Sequence, residues 1–158
     1  MEERYITSTV RICQPDELDA DDKRLVELAK EATLRSYSRY SGFAVGAAVM
    51  LEGGETVIGC NQENAAYSVT VCAERTALFA AGAQFPDRKV VAIAIAARSG
   101  GDFTPEPVTP CGTCRQALVE TELRSGREIR IIMYGRNRIF TVDGIKSLLP
   151  LSFNDSSM

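Results

Sequence analysis

The chain of 158 residues contains no histidine and no tryptophan. The missing imidazole excludes a Ser-His-Asp triad, a Cys-His pair and every metal site with a histidine ligand. Any side chain that moves a proton near neutral pH must therefore be a carboxylate, a lysine, a tyrosine or a cysteine. Enzymatic candidates are thus restricted to sites built on acids, thiols or a metal ion.

Long apolar runs and an excess of basic residues are also missing. No stretch reaches the roughly 18 to 20 apolar residues that cross a bilayer. The first residues, Met1 to Arg4, are mostly charged, so we expect no secretory signal. Lys and Arg number 18 against 21 Asp and Glu, whereas a nucleic-acid binder usually needs a basic face. We expect a cytoplasmic protein with neither a nucleic-acid nor a membrane partner.

The cysteine content points to thiols or a metal rather than to disulfides. Five cysteines make an odd number, and in a reducing compartment they remain thiols or bind a metal. The candidates are Cys13, Cys60, Cys72, Cys111 and Cys114.

The hydrophobic pattern predicts an α/β domain. Leu25, Leu28, Ala29 and Ala32 recur at helical spacing behind a short acidic stretch. The run from Val90 to Ala96 is continuously apolar, as in a strand buried on both faces. Further helices are predicted near 72–83, 111–123 and 142–149, and further strands near 43–51, 55–59, 128–134 and 139–141. This order predicts a three-layer α/β/α sandwich around a mixed sheet of about five strands.

Two cysteine motifs stand at the starts of predicted helices. Cys72 opens one helix, and Cys111 and Cys114, preceded by Pro110, open another. Cysteines three apart in a first helical turn face the same way, and the positive end of the helix favours the thiolate form. Three thiolates suit Zn²⁺ and leave its fourth position open for water, which is typical of a catalytic zinc site.

Glu74 and Arg75 follow the first cysteine motif directly. Because Glu74 lies two residues after a ligand, we expect its carboxylate beside the zinc-bound water, where it can accept and return a proton. Zn²⁺ with three thiolates carries a net negative charge. We expect the Arg75 guanidinium to withdraw this charge through N–H···S contacts.

The residues alone leave plainer interpretations open. The cysteines of the second motif could be buried thiols, or Cys13 or Cys60 could complete a closed, structural four-cysteine zinc site. Glu74 could be a first-turn acid that merely suits the helix dipole. A non-catalytic zinc-binding or redox-sensing module would then result, and it would have no enzymatic activity.

Five stretches, in order and with compatible spacing, resemble the small homotetrameric cytidine deaminases. They are 40–48 (YSGFAVGAA), 59–68 (GCNQENAAYS), 72–78 (CAERTAL), 110–116 (PCGTCRQ) and 148–150 (LLP) with Phe153. The resemblance includes a cysteine, a non-ligand glutamate and a later P-C-x-x-C, the pattern of zinc deaminases. It implies a single deaminase domain over residues 19–158. It assigns no role to the preceding extension, residues 1–18.

The resemblance also implies the zinc chemistry residue by residue. Cys72, Cys111 and Cys114 would hold one Zn²⁺ per subunit. Glu74 would be the proton shuttle, and Arg75 would compensate the thiolate charge.

The remaining matched residues would contact a nucleoside. By this resemblance, Phe43 would pack near the base and sugar, and Asn61 and Glu63 would bind the ribose 3′-hydroxyl. The Ala73 N–H would donate to the pyrimidine O2, and the Thr109 carbonyl would accept from the leaving amino group. Two further residues would complete the pocket in the assembly, Tyr67 at its subunit-shared part and Phe153 stacked on the base of a neighbouring subunit.

The implied reaction is zinc-dependent hydrolytic deamination of free cytidine and 2′-deoxycytidine to uridine and 2′-deoxyuridine plus ammonia, in pyrimidine salvage. The active sites would be shared within a homotetramer. Two related substrates need separate consideration. The match to the sugar site speaks against a cytosine-containing antibiotic such as blasticidin S, and the acidic charge speaks against a polynucleotide.

Overall fold

The computed structural model describes residues 1–155 and 158. The helices are α1 (Ala20–Ala32), α2 (Ala73–Gln84) and α3 (Gly112–Ser125). The strands are β1 (Arg11–Cys13), β2 (Ala44–Leu51), β3 (Thr56–Cys60), β4 (Val90–Ser99), β5 (Asp102–Phe103), β6 (Arg130–Tyr134) and β7 (Ile139–Asp143). Within the described residues, none of these helices combines the length and the apolar character that a membrane span needs.

The strands of the described residues form one mixed sheet. Its order is β1-β7-β6-β4-β2-β3, and the short β5 pairs with β4. β4 and β6 run parallel, joined by α3, and the other paired strands are antiparallel. The sheet has seven strands, so the expected number of about five is too low. The reason is length, since β1 has three residues and β5 has two, too few to show a periodic pattern.

β4 lies at the centre of the sheet and is covered on both faces. Ile93 and Ile95 belong to the core cluster that includes α2 and α3, whereas Ala92 and Ala94 belong to the cluster that includes α1. Successive side chains of a strand point to opposite faces, so this alternation separates two helical layers. The predicted three-layer α/β/α architecture is therefore confirmed.

The end of the chain differs from the helix predicted over 142–149. Val142 continues β7 opposite Ile131 of β6. The next residue but one, Gly144, has a φ of +77°, a left-handed value that favours glycine and interrupts a helix. A single 3₁₀ turn, Ile145–Ser147, follows instead.

Gly59 allows α2 to pack directly on β3. A Cβ atom at this position would lie 2.7 Å from the Ala73 carbonyl oxygen and even closer to the Ala77 nitrogen. Both are backbone atoms, which cannot swing aside as a side chain can. The glycine therefore sets the distance between the sheet and the first turn of α2, the turn that carries Glu74.

Replacing Gly59 with alanine should therefore destabilise the fold. We expect the free energy of unfolding to fall by about 1 to 3 kcal/mol, the usual cost of overpacking, measured by urea denaturation. Gly82→Ala in α2 is the matched control, because the nearest atom to its added Cβ, Arg124 Nη1, is 3.6 Å away. That change should stabilise the helix by up to about 1 kcal/mol. Equal stability of the Gly59→Ala variant and the original chain would contradict the packing argument.

The segment before α1 is attached to the edge of the sheet. β1 pairs with β7 and places Ile12 opposite Phe140. Arg11 Nη1 lies 2.5 Å from Asp143 Oδ2, and Leu18 is buried in the core cluster beneath α1. β1 therefore covers an edge of β7 that would otherwise present unpaired backbone groups.

Candidate metal and catalytic site

The N-termini of two helices bring three thiols together. Cys72 is the N-cap residue of α2 and Cys111 that of α3, and Cys114 lies in the first turn of α3. Their three Sγ atoms lie within 4.8 Å of one another. Neither N-cap cysteine makes a side-chain capping hydrogen bond, so both sulfur atoms remain available as ligands.

This donor set suits Zn²⁺, because thiolates are soft ligands and the helix N-termini favour their charged form. Among the residues that the structure describes, the three cysteines are the cluster that could hold a metal. Cys60 Sγ instead donates to the Arg35 carbonyl at 3.1 Å, and Cys13 Sγ donates to the Ile139 carbonyl at 3.9 Å. A closed four-cysteine site is therefore not supported.

Arg75 and hydrogen bonding between the cysteines shift the pKa values of the thiols. A hydrogen bond with Cys114, helped by Arg75, lowers the pKa of Cys72 to about 5. The same hydrogen bond with Cys72 raises the pKa of Cys114. Arg75 Nη2 lies 4.0 Å from Cys72 Sγ. Its Nε atom is buried and has no hydrogen-bond partner within the described residues, so the guanidinium retains a free donor.

Glu74 is buried beside the three thiols. The residue is only 4% exposed, and burial raises the pKa of its carboxyl. Glu74 lines the same cavity as Cys72 and Cys111. A carboxyl group next to a metal site is suited to accept and return protons.

A cavity of about 290 Å³ opens beside the thiols. This volume is close to the lower end, roughly 300 Å³, for pockets that bind small molecules. Its walls include eight residues that the sequence predicts for the site and six that it does not. The predicted ones are Phe43, Asn61, Glu63, Cys72, Ala73, Glu74, Thr109 and Cys111, and the others are Ser41, Val45, Thr70, Val71, Ile95 and Val108.

The carboxamide of Asn61 is largely committed to holding the neighbouring strand. Its Oδ1 accepts hydrogen bonds from Ser36 Oγ at 2.5 Å and from Val45 N at 2.8 Å. Its Nδ2 donates one hydrogen bond to the Phe43 carbonyl at 2.9 Å. An amide group has two donors and two acceptor positions. One N–H of Asn61 is therefore left for a ligand, as judged from the described residues.

Glu63 is held in a similar way by the loop before β2. Its Oε1 accepts from Ser41 Oγ at 2.5 Å, and its Oε2 accepts from the backbone nitrogens of Tyr40 and Ser41 at 2.7 and 3.3 Å. The hydrogen bond from the Ser41 side chain is the main reason that the pKa of Glu63 is lowered. A carboxylate offers about four acceptor positions, so about one remains.

Two of the predicted substrate-contacting residues do not reach the cavity. Tyr67 lies on a 3₁₀ turn and is 80% exposed, and Phe153 near the C-terminus is 61% exposed. Neither lines the cavity of this single chain. Both rings are free to contact another molecule.

Sequence analysis missed the residues that hold the side chains of Asn61 and Glu63 in place. Ser36 and Ser41 contact the side chains of Asn61 and Glu63 from more than 20 residues away along the chain. Ser41 lies within the matched stretch 40–48, and this was the one feature of the sequence that could have singled it out. Its hydrogen bond to Glu63 depends on the fold, because the two residues are 22 positions apart.

The model of the cytidine and deoxycytidylate deaminase zinc-binding region matches residues 19–126. The chain belongs to this deaminase family. The matched range contains the three clustered cysteines and Glu74, so a zinc-binding region and the thiol cluster coincide.

Curated members of the cytidine deaminase family resemble this deaminase in sequence. The cytidine deaminase of Halalkalibacterium halodurans is 46% identical over 100 residues, which cover 63% of this chain and 71% of the relative. That of Mycobacterium tuberculosis is 38% identical over 102 residues, covering 65% of this chain and 72% of the relative.

Solved structures support the same assignment. The cytidine deaminase of Burkholderia pseudomallei matches with a TM-score of 0.70 at 37% identity, covering 82% of this chain and 97% of the other. That of Mycobacterium tuberculosis matches with a TM-score of 0.68 at 34% identity, covering 86% and 99%. The predicted fold and the predicted class of enzyme are thereby confirmed.

Proposed function

We propose that this deaminase hydrolyses cytidine and 2′-deoxycytidine to uridine and 2′-deoxyuridine plus ammonia, and that it requires zinc. The observation that carries the proposal is the cluster of three thiols within 4.8 Å, with buried Glu74 beside it. Both border the cavity that also contains Asn61 and Glu63. The names of the sequence relatives point to the same substrate.

Cys72, Cys111 and Cys114 would hold the zinc ion, and Arg75 would offset the charge of their sulfurs. When bound, Zn²⁺ supplies a Lewis acid that makes water a nucleophile near neutral pH. The Glu74 carboxylate takes a proton from the attacking water and passes it to N3 of the cytosine ring, which makes C4 electrophilic.

The oxygen of the attacking water forms a bond to C4. Glu74 then moves the remaining proton of that oxygen to the amino group, which departs as ammonia as the C4–N bond breaks and the C4=O bond forms. Overall, one water molecule is consumed and one oxygen remains on C4. Because Glu74 is buried, it exchanges protons with the reacting atoms rather than with bulk water.

Three further groups hold the base and its leaving group. The Ala73 N–H lies in the first turn of α2, where backbone donors have no partner inside the helix, and it donates to the pyrimidine O2. The Thr109 carbonyl accepts from the amino group. Phe43, which is half-buried in the cavity wall, packs against the base and the sugar.

The remaining hydrogen-bonding capacity of Asn61 and Glu63 supports binding of a single hydroxyl. One free N–H of Asn61 and about one acceptor position of Glu63 match the acceptor and the donor of one ribose hydroxyl. We assign this hydroxyl to the 3′ position. The 2′ position then contributes little, so both ribose and deoxyribose are accepted.

Substrate analogues test this assignment of the sugar site. We expect 2′-deoxycytidine to be deaminated with a kcat/KM within about fivefold of that for cytidine, whereas 3′-deoxycytidine loses about 10- to 100-fold, because unpaired Asn61 and Glu63 groups are costly. The rates follow from the loss of cytidine absorbance in the ultraviolet. Equal rates for the 2′- and 3′-deoxy compounds would contradict the assignment.

The same assay decides the function as a whole. Purified protein should deaminate free cytidine, lose activity with a zinc chelator and regain it with added Zn²⁺. It should not act on CMP or on single-stranded DNA. Activity on CMP or on single-stranded DNA but not on cytidine would overturn the proposal. So would the absence of any activity when each chain holds a full complement of zinc.

We also propose a homotetramer in which Tyr67 and Phe153 complete the pocket of a neighbouring subunit. Their exposure of 80% and 61% in the single chain supports this role, since large exposed aromatic rings are typical of interfaces. Analytical ultracentrifugation should give about four times the mass of the chain, which is 17.2 kDa. A fully active monomer would contradict shared sites.

We further propose that residues 19–158 form the catalytic domain and that residues 1–18 are an added segment. Deleting residues 2–10 should leave kcat for cytidine unchanged, because these residues are exposed and precede β1.

The proposed context is pyrimidine salvage in the cytoplasm, where a reducing compartment keeps the three thiols available. A pyrimidine-requiring cell supplied only with cytidine should grow when it makes this protein and not otherwise.

A further inference from the structure

Arg115 connects three parts of the molecule from the first turns of α3. Its Nε donates to the Pro110 carbonyl at 2.8 Å, and its Nη1 donates to the Leu148 carbonyl at 2.6 Å. Its Nη2 lies 3.4 Å from Thr109 Oγ1. The side chain is half-buried, so these hydrogen bonds are partly shielded from water and correspondingly strong.

The loop that Arg115 holds borders the reaction cavity. Thr109 lines that cavity, and Pro110 immediately precedes the candidate ligand Cys111. The loop lies outside the helices and strands, so it lacks the ladder of backbone hydrogen bonds that fixes a strand. Side-chain contacts therefore carry much of its positioning.

The adjacent residue makes a parallel connection to the same C-terminal segment. Gln116 Nε2 donates to the Phe153 carbonyl at 2.9 Å. Arg115 and Gln116 thus fix both ends of residues 148–153 to the helix that also carries Cys114.

We propose that Arg115 is a positioning residue for deamination, which holds the Thr109 carbonyl at the leaving amino group by docking the 109–110 loop against Leu148. The inference rests on the proposed function, because it needs the amino group of cytidine at Thr109. Arg115 does not line the reaction cavity, so it acts through Thr109, which does.

The planar guanidinium suits this role better than a lysine ammonium would. Three nitrogens of one rigid group reach Thr109, Pro110 and Leu148 at the same time. A lysine keeps the charge but presents a single nitrogen on a flexible stem. Substitution by lysine therefore separates positioning from charge.

The test compares Arg115→Lys and Arg115→Met with Arg124→Met. Arg124 is an exposed arginine on the same helix, and its loss should change nothing in the assay. We expect kcat for cytidine to fall about 10- to 100-fold in Arg115→Met and about 3- to 10-fold in Arg115→Lys, since small misplacements at a reacting centre are costly. Zinc content should stay at that of the original chain in the lysine variant.

Selectivity at the amino group distinguishes positioning from general loss of structure. N4-Methylcytidine is measured as a competitive inhibitor. For the original chain, we expect its inhibition constant to be higher than the KM for cytidine. In Arg115→Met, the inhibition constant of N4-methylcytidine divided by the KM for cytidine should fall by about 5- to 10-fold. The loop can then move away from the added methyl group. A partly unfolded but otherwise normal protein would leave the ratio unchanged.

The activity of the original chain on cytidine is measured first and decides the proposed function alone. With that activity present, any one of three results would overturn the role of Arg115. In Arg115→Met, these are an unchanged ratio of the N4-methylcytidine inhibition constant to the KM for cytidine, or a kcat within twofold of the original. In Arg115→Lys, it is loss of zinc.

Discussion

Replacing Glu74 with glutamine should reduce the kcat for cytidine by about 10²- to 10⁴-fold, the usual contribution of a general acid–base group. Glutamine has nearly the same shape, so the buried position, 4% exposed, stays filled. It cannot take up and release a proton as the carboxylate does. Turnover is measured by ultraviolet absorbance and zinc by elemental analysis, and the zinc content should not change.

Glu120→Gln is the matched control for that variant. It makes the same chemical change at an exposed glutamate on α3 and should leave kcat unaltered. If Glu74→Gln kept zinc and still turned over cytidine at a near-normal rate, Glu74 would have no part in proton transfer. Glu74→Gln should also bind cytidine with little loss of affinity, because its effect lies in the chemical step.

Replacing Cys114 with serine should abolish both zinc binding and activity. Cys114 is fully buried and its Sγ lies within 4.8 Å of those of Cys72 and Cys111, and a serine hydroxyl is a far harder and less acidic ligand than a thiol. Losing the Lewis acid removes several kcal/mol of transition-state stabilisation. We therefore expect kcat/KM to fall by at least about 10³-fold and the zinc content to fall well below one ion per chain.

Cys60→Ser is the control for the metal site. Cys60 contacts the Arg35 carbonyl and receives a hydrogen bond from Gln62 Nε2 at 3.2 Å, away from the thiol cluster. Zinc content and turnover should both stay normal. Loss of zinc from Cys60→Ser would mean that a fourth cysteine closes the site, and full zinc in Cys114→Ser would remove Cys114 from the ligand set.

The order of helices and strands was largely readable from the sequence, but its irregular parts were not. The apolar run of β4 and the helical spacing in α1 depend on neighbours along the chain, so periodicity shows them. β1 and β5 form only because they pair with distant β7 and with β4. The helix expected over 142–149 did not form, because Val142 and Asp143 pair with β6 and Gly144 interrupts the segment with a left-handed φ.

For the candidate site, the sequence by itself determined the residue types and their local geometry. The absence of histidine restricted proton transfer to carboxylates, lysine, tyrosine and cysteine. Two cysteines three apart at a helix start must face one way. These features follow from the spacing of a few neighbouring residues and from the helix dipole.

Only the tertiary structure decided which groups meet. Cys72 and Cys111 are 39 positions apart, yet their sulfurs lie 3.8 Å apart because the fold brings the N-termini of α2 and α3 together. The contacts of Ser41 with Glu63 and of Arg115 with Leu148 join segments 22 and 33 positions apart. Such contacts arise when helices and strands pack around a shared core, and no local pattern of residues encodes the distance between them.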